Sequence, residues 1–256
     1  MYKRQGQYHG VHDYVMFSTA SSPISAMGSR NSPVPVQVGS GIPTKIRDYV
    51  YCLPFNDFDA VEQCLNDHHG EIAALLVEPC LGNIVGIEPK DGFLQHLRNL
   101  CDKYNVVLIF DEVKTGFRLS NGGARETYEV IPDISTYAKS LGNGVPVAAF
   151  GGKSEVMNVI GGGSVAHAGT FGGNGVSMSA ANAVLDILNE APVLKELSIR
   201  GQKLKKGMDN ILDEVGLPHQ MCGHPNIQGF LITEHKVEEV RDLSLIHISE
   251  PTRPLS

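Results

Sequence analysis

Three polar residues stand just past short apolar runs: Glu78 after Ile72–Val77, Asp111 after Val106–Phe110, and Lys139 beyond Ile134–Tyr137. A lysine amine near a carbonyl can add to it as a nucleophile and afterwards carry protons, and a carboxylate beside a positive group stabilises its charged form. Each residue also has an ordinary reading. A lysine after a strand is commonly a solvated surface residue, and an aspartate at a strand end commonly caps a helix. Their placement argues for more, because ligands in open α/β sheets bind outside the carboxyl ends of the strands, where all three can face one crevice.

The elements needed to position them are legible in the pattern. From about residue 70 short apolar runs alternate with amphipathic segments, which predicts βαβ units and a mainly parallel sheet covered by helices. Ile72–Val77 and VVLIF at Val106–Phe110 are continuously apolar, as expected of strands covered on both faces. After Pro89, the residues Phe93, Leu94, Leu97, Leu100, Cys101 and Tyr104 fall at helical spacing, with Gln95, Arg98, Asp102 and Lys103 opposite. Further strands are expected at Ile134–Tyr137 and Val147–Phe150. Helices are expected over Val176–Asn189 and Pro192–Val215, the latter with basic residues on its exposed face. Residues 17–44, rich in Ser, Pro and Gly, form a connection long enough to be a functional loop such as a lid. No internal repeat is evident.

Composition narrows the function. The chain has 256 residues, 42% hydrophobic and 19% charged, enough to bury the core of an ordinary globular α/β protein. A net charge of -7 without a Lys/Arg cluster argues against nucleic acid and favours small-molecule chemistry. The five cysteines are scattered without a C-x-x-C pair, so neither a disulfide framework nor a zinc site is indicated, and a reducing, cytoplasmic setting fits best. No stretch approaches the roughly 20 apolar residues of a membrane helix, and the start lacks the apolar core of a signal peptide.

Three tempting motifs fail on context. GGKS at Gly151–Ser154 would end a phosphate-binding P-loop only with glycine where Val147 stands. Gly161, Gly163 and Ala166 satisfy a permissive dinucleotide fingerprint, but no strand precedes them and no acid follows at the required distance. His9 with His12, and His68 with His69, lack the further ligands of a metal site.

The joint signal is carried by FDEVKTGFR (Phe110–Arg118), STYAKSLGNGVP (Ser135–Pro146) and AGTFGGN (Ala168–Asn174), preceded by YHG at Tyr8–Gly10, VEP at Val77–Pro79 and the Gly82–Asn83 pair. In order and spacing these resemble the class III aminotransferases, and the resemblance runs from about Gly6 to Arg241. It implies an α/β, fold-type I transferase that depends on pyridoxal 5'-phosphate, with a large domain through residue 191 and the start of a small α+β C-terminal domain over residues 192–243. Such a cofactor needs an amine to hold it as an imine and to move protons at the substrate carbon, and a carboxylate to keep its pyridine nitrogen protonated so that the ring acts as an electron sink. The resemblance assigns these roles to Lys139 and Asp111.

It also implies the rest of the cofactor-binding set. Tyr8 would stack on the ring, with His9 of the same run beside it, and Val113 would pack on the opposite face. Asn83 would donate to the phenolic oxygen, Glu78 would belong to the same site, and Thr170 would reach the phosphate of a neighbouring subunit's cofactor. A homodimer with a shared site follows, acting on a small-molecule amino donor and a carbonyl acceptor.

Gly82–Asn83 and DEV followed by TGFR favour the branch that contains glutamate-1-semialdehyde aminomutase, which moves an amino group within one substrate. The segment between Tyr8 and Pro43 departs from that branch, and AKSLGNGVP reads more like transaminases acting between two substrates. The expectation is therefore an aminotransferase, with the aminomutase as alternative. The alternative of another class is an inactive cofactor-binding or dimer-forming fragment. It arises because the Ser-Gly phosphate turn expected upstream of YHG, and much of the usual C-terminal domain, are missing from this sequence. MYKRQ at residues 1–5 and SLIHISEPTRPLS at residues 244–256 resemble translated sequencing-adapter read-through. The expectation is an enzyme incomplete at both ends, with a poorly ordered tail and weak or absent cofactor binding.

Overall fold

The apolar runs pair as strands of one sheet in the computed structural model, which describes residues 1–243. In chain order the elements are β1 (Tyr2–Arg4), β2 (Tyr51–Leu53), α1 (Phe58–Asp67), β3 (Ala74–Val77), α2 (Phe93–Tyr104), β4 (Val107–Asp111), α3 (Ala124–Thr127), β5 (Ile134–Tyr137) and β6 (Ala149–Gly152). They continue with α4 (Ser154–Gly161), α5 (Gly175–Glu190), α6 (Val193–Glu214), β7 (His219–Cys222) and β8 (Gly229–Ile232). The six-stranded sheet runs β2-β1-β3-β4-β5-β6. Its first five strands are parallel, and β6 lies antiparallel to β5. β7 and β8 form a separate antiparallel pair. The mainly parallel α/β architecture expected from the sequence is thus present.

Helix α2 shows why the pattern was readable. Phe93, Leu94, Leu97, Leu100 and Cys101 are all buried against the sheet, and the helix stops at Asn105, whose left-handed φ of 55° suits a C-cap. Phe55 and Phe58 meet Phe93 edge to face, with centroids 5.3 and 5.2 Å apart. Pairs of this kind contribute about 1 kcal/mol each beyond their burial. Helix α1, which the periodicity did not announce, begins at Asp57, whose carboxylate accepts from the Ala60 N–H, and it buries only Val61 and Leu65.

Two segments differ from expectation, and a third, at the start of the chain, was announced by no pattern. Residues 1–5, which read as adapter-like in the sequence, supply β1, which lies inside the sheet between β2 and β3. Its charged residues are accommodated by backbone oxygens: Lys3 Nζ donates to the carbonyls of Gln7, Val15 and Phe17, and Arg4 Nη1 donates to Pro54 O while stacking over Phe93. A short Tyr-Lys-Arg run has no apolar alternation, so it reads as surface. Residues 17–44 are not a free lid in this structure. Phe17 and Met27 are buried, and the Arg241 guanidinium donates to the carbonyls of Met27 and Gly28. Strand β6 starts at Ala149, two residues later than the apolar run suggested. The expectation for residues 244–256 lies outside the described residues.

Candidate active site

Parallel pairing in register brings the polar residues together. Val77 stands beside Phe110, and Asp111 beside Thr136, so that Glu78, Asp111 and the turn after β5 emerge at the same edge of the sheet. The chain leaving β1 crosses that edge and delivers Tyr8 and His9. The result is a cavity of about 320 Å³ lined by Tyr8, His9, Gly10, Leu76, Glu78, Asn83, Asp111, Val113, Lys114, Thr136 and Lys139. Seven of the eight residues singled out in the sequence therefore share one cleft. The eighth, Thr170, is exposed and lies outside it. A larger cleft of about 830 Å³, between Arg30 and α1, gathers none of them.

The floor is a hydrogen-bonded carboxylate. Asp111 Oδ2 lies 2.6 Å from His9 Nδ1, while Oδ1 accepts from the Val113 N–H at 3.1 Å and the Thr136 hydroxyl at 3.3 Å. Burial lowers the His9 pKa below the ordinary histidine value, against the opposing pull of Asp111. A neutral imidazole then donates Nδ1–H to Asp111, which leaves the buried Nε2 without a hydrogen-bond partner. Glu78, 3% exposed, accepts from the Tyr8 N–H at 2.7 Å and the Gly82 N–H at 3.2 Å. It thereby ties the segment carrying Tyr8 and His9 to the turn carrying Asn83. Burial pushes the Glu78 carboxyl up to about 7, with nearby Asp111 adding to the effect.

Lys139 sits where the backbone is forced. Its φ is 41°, the left-handed region that costs an L-residue about 1 kcal/mol or more. The segment after Val113 holds that turn. A Cβ on Gly116 would come within 2.6 Å of the Tyr137 ring, Phe117 packs on Tyr137 with centroids 5.3 Å apart, and the Arg118 guanidinium donates twice to Ser140 Oγ. TGFR and STYAKS are therefore one mechanical unit around the lysine. Glu112, between Asp111 and Val113, serves the scaffold instead: it is fully buried and accepts from the Thr115 hydroxyl and the Ala124 N–H at the start of α3.

Sequence comparison decides the lineage of this arrangement. Over residues 2–247 the chain matches the family described as Aminotransferase class-III. The chain belongs to that family. The glutamate-1-semialdehyde 2,1-aminomutase of Aquifex aeolicus is 39% identical over 236 residues, which cover 92% of this chain and 54% of that protein. Among solved structures, an omega-transaminase from Sphaerobacter thermophilus superposes with a TM-score of 0.88 at 33% identity, covering 94% of this chain and 55% of the other. A transaminase solved with PLP bound has a TM-score of 0.77 at 26% identity, covering 88% of this chain and 51% of the other. The chain spans about half the length of the curated relatives it matches.

Within this class-III framework two polar lining side chains, Thr136 and Lys114, escaped the sequence reading. Thr136 reaches Asp111, a role visible only from strand register, since nothing in the sequence pairs these positions. Lys114 lies inside the DEVKTG run, yet its place in the cleft depends on Gly82: a Cβ there would meet the Lys114 stem at 2.6 Å. Among the described residues, no group of three or more His, Cys, Asp or Glu side chains could hold a metal ion, and no helix is long and apolar enough to cross a membrane.

Proposed function

We propose that this chain carries the lysine-bearing cofactor site of a pyridoxal-phosphate-dependent aminotransferase, which moves an amino group between a small-molecule amino donor and a keto acid or aldehyde. The observation that carries this reading is the presence of Lys139 and Asp111 in one cleft whose walls are Leu76, Val113 and the half-exposed Tyr8 ring. The residues fit the ring of that cofactor. A flat, protonated heteroaromatic ring needs an anionic floor, apolar or aromatic faces and a free amine at its edge, and the cleft, at about 320 Å³, falls in the size range of small-ligand sites.

When bound, the cofactor supplies an electron-withdrawing ring and a carbonyl that accepts an amine. Asp111 would keep the proton on the ring nitrogen by placing its carboxylate there, with His9 and Thr136 fixing its direction. Lys139 would attach the cofactor and transfer protons at the substrate carbon. Val113 and Tyr8 would hold the ring faces, and Asn83 and Glu78 the edge near the 78–83 turn.

The exposed position of Thr170, next to the largely exposed Phe171, supports a role across a homodimer interface, as do the exposed apolar residues Val176, Ile187, Leu197 and Ile211 on α5 and α6. Five unpaired cysteines suit the cytoplasm. A second reading, intramolecular transfer by an aminomutase, is favoured by the curated relatives at 36–39% identity. The test is a titration of the purified chain with pyridoxal phosphate, followed by a screen of amino donors and keto acids. Yellow absorbance that Lys139→Ala abolishes, with turnover only when an acceptor is added, supports the aminotransferase. Turnover of an amino-aldehyde without any acceptor supports the aminomutase. A colourless, inert protein would leave only the fragment reading.

A further inference from the structure

One lining residue has no place in the roles above. Lys114 Nζ donates to Gly82 O and to Asn83 Oδ1, both at 2.7 Å, and its stem lies across Gly82 in the space a side chain would fill. Lys114 and Asn83 line the same cleft as Lys139. An ammonium can only donate hydrogen bonds, so it selects the oxygen of the Asn83 amide and fixes which way that amide faces. The Asn83 Nδ2 end has no protein partner among the described residues.

We propose that Lys114 is a positioning residue: by pinning Asn83 Oδ1 it turns the amide's N–H end toward the cleft, making this wall a donor-only cradle for an anionic oxygen of the ligand. The inference rests on the cofactor reading above and deepens it, because the ligand oxygen available at the ring edge is the phenolic one. Without the ammonium, the amide of Asn83 is free to present either end, and half of the orientations would set two acceptors against each other. The lysine also places a second positive charge beside Lys139, which Glu78 partly balances. This wall thus favours an oxyanion over a hydroxyl.

The experiment compares pyridoxal phosphate with its analogue lacking the phenolic oxygen. Dissociation constants for both are measured by absorbance on the wild-type chain, Lys114→Met, Lys114→Arg and Lys139→Ala. The expected result is roughly tenfold or greater weakening of pyridoxal phosphate binding in Lys114→Met, the size of a lost hydrogen bond to a charged group. The analogue should bind the wild type and Lys114→Met alike, and Lys114→Arg should recover most of the loss. The pH midpoint of the bound cofactor's visible absorbance should also rise in Lys114→Met, a readout that a purely structural defect would not move. Equal losses for both compounds, or none for either, would overturn the role of Lys114 while leaving the cofactor site intact. Wild type that takes up neither compound, or Lys139→Ala that binds both unchanged, would instead overturn the cofactor reading and this inference with it.

Discussion

His9 and Asp111 are the two ends of a 2.6 Å contact that joins the segment after β1 to the end of β4, across the mouth of the sheet. The His9 side chain is 2% exposed and that of Asp111 8%. Neither residue can shift without disturbing the other, so the carboxylate's direction is set by an imidazole that has no second hydrogen-bond partner. An unpartnered buried nitrogen is normally unfavourable. Its persistence here fits a histidine placed to orient Asp111 within a site.

That relationship predicts the effect of His9→Phe, which keeps ring volume but removes the donor. Hydrogen bonds to charged groups contribute about 1.5–3 kcal/mol, so cofactor affinity should fall about tenfold to a hundredfold. The fold should survive, as judged by circular dichroism. Affinity within twofold of wild type would show that Thr136 and the Val113 N–H suffice to hold Asp111.

Asp111→Asn preserves shape and removes charge. Loss of a fixed electrostatic partner of the reacting group typically costs about 10²-fold or more in rate, and kcat should drop accordingly. A near-normal rate with an unchanged cofactor spectrum would mean that another residue fills the role.

At Lys139 function and backbone comfort pull in opposite directions. Lys139→Ala should abolish turnover while leaving stability nearly unchanged, since the side chain is exposed and leaves no cavity. Lys139→Gly should be equally inactive yet as stable as the alanine variant or up to about 1 kcal/mol more so, because glycine adopts the left-handed φ of 41° without steric cost. Denaturant midpoints of the two variants provide the comparison. A glycine variant clearly less stable than alanine would show that the turn is not strained.

The sequence was most informative where one physical signal dominated. Helix α2 carries a clean 3.6-residue period and Val107–Phe110 a continuous apolar run, so both were placed to within a residue or two. The convergence of Glu78, Asp111 and Lys139 followed from strand-end logic, and Tyr8, His9, Asn83 and Val113 from the family resemblance. What stayed hidden depends on long-range packing. β1 is a three-residue strand whose buried Lys3 and Arg4 are stabilised by carbonyls many residues away, and no local pattern announces them. Thr136 and Lys114 entered the site through register and through the missing side chain of Gly82, which are properties of pairs rather than of positions.

Glu78 offers a prediction about pH. Its carboxyl is pushed up from 4.5 to about 7, first by burial and then by Asp111, against the opposing effect of the Tyr8 N–H and Lys114. Below about pH 4.5 the group is protonated whether the chain is folded or not, and the neutral acid sits in the core at no charge penalty. Between about 4.5 and 7 the folded protein retains a proton that the unfolded chain has released, so this group's contribution to stability declines as pH rises and is lost once pH passes about 7. A shift of this size corresponds to about 3 kcal/mol. Glu78→Gln keeps one acceptor for the Tyr8 N–H and cannot ionise. Relative to wild type, the variant should therefore gain stability between about pH 5 and about pH 8. Glu239, also raised to about 7 by burial, titrates in both proteins and cancels from the difference. Urea midpoints of the two proteins across that range measure the effect; curves that stay parallel would show that Glu78 is ionised in the fold at neutral pH and that its hydrogen bonds to Tyr8 and Gly82 outweigh its burial.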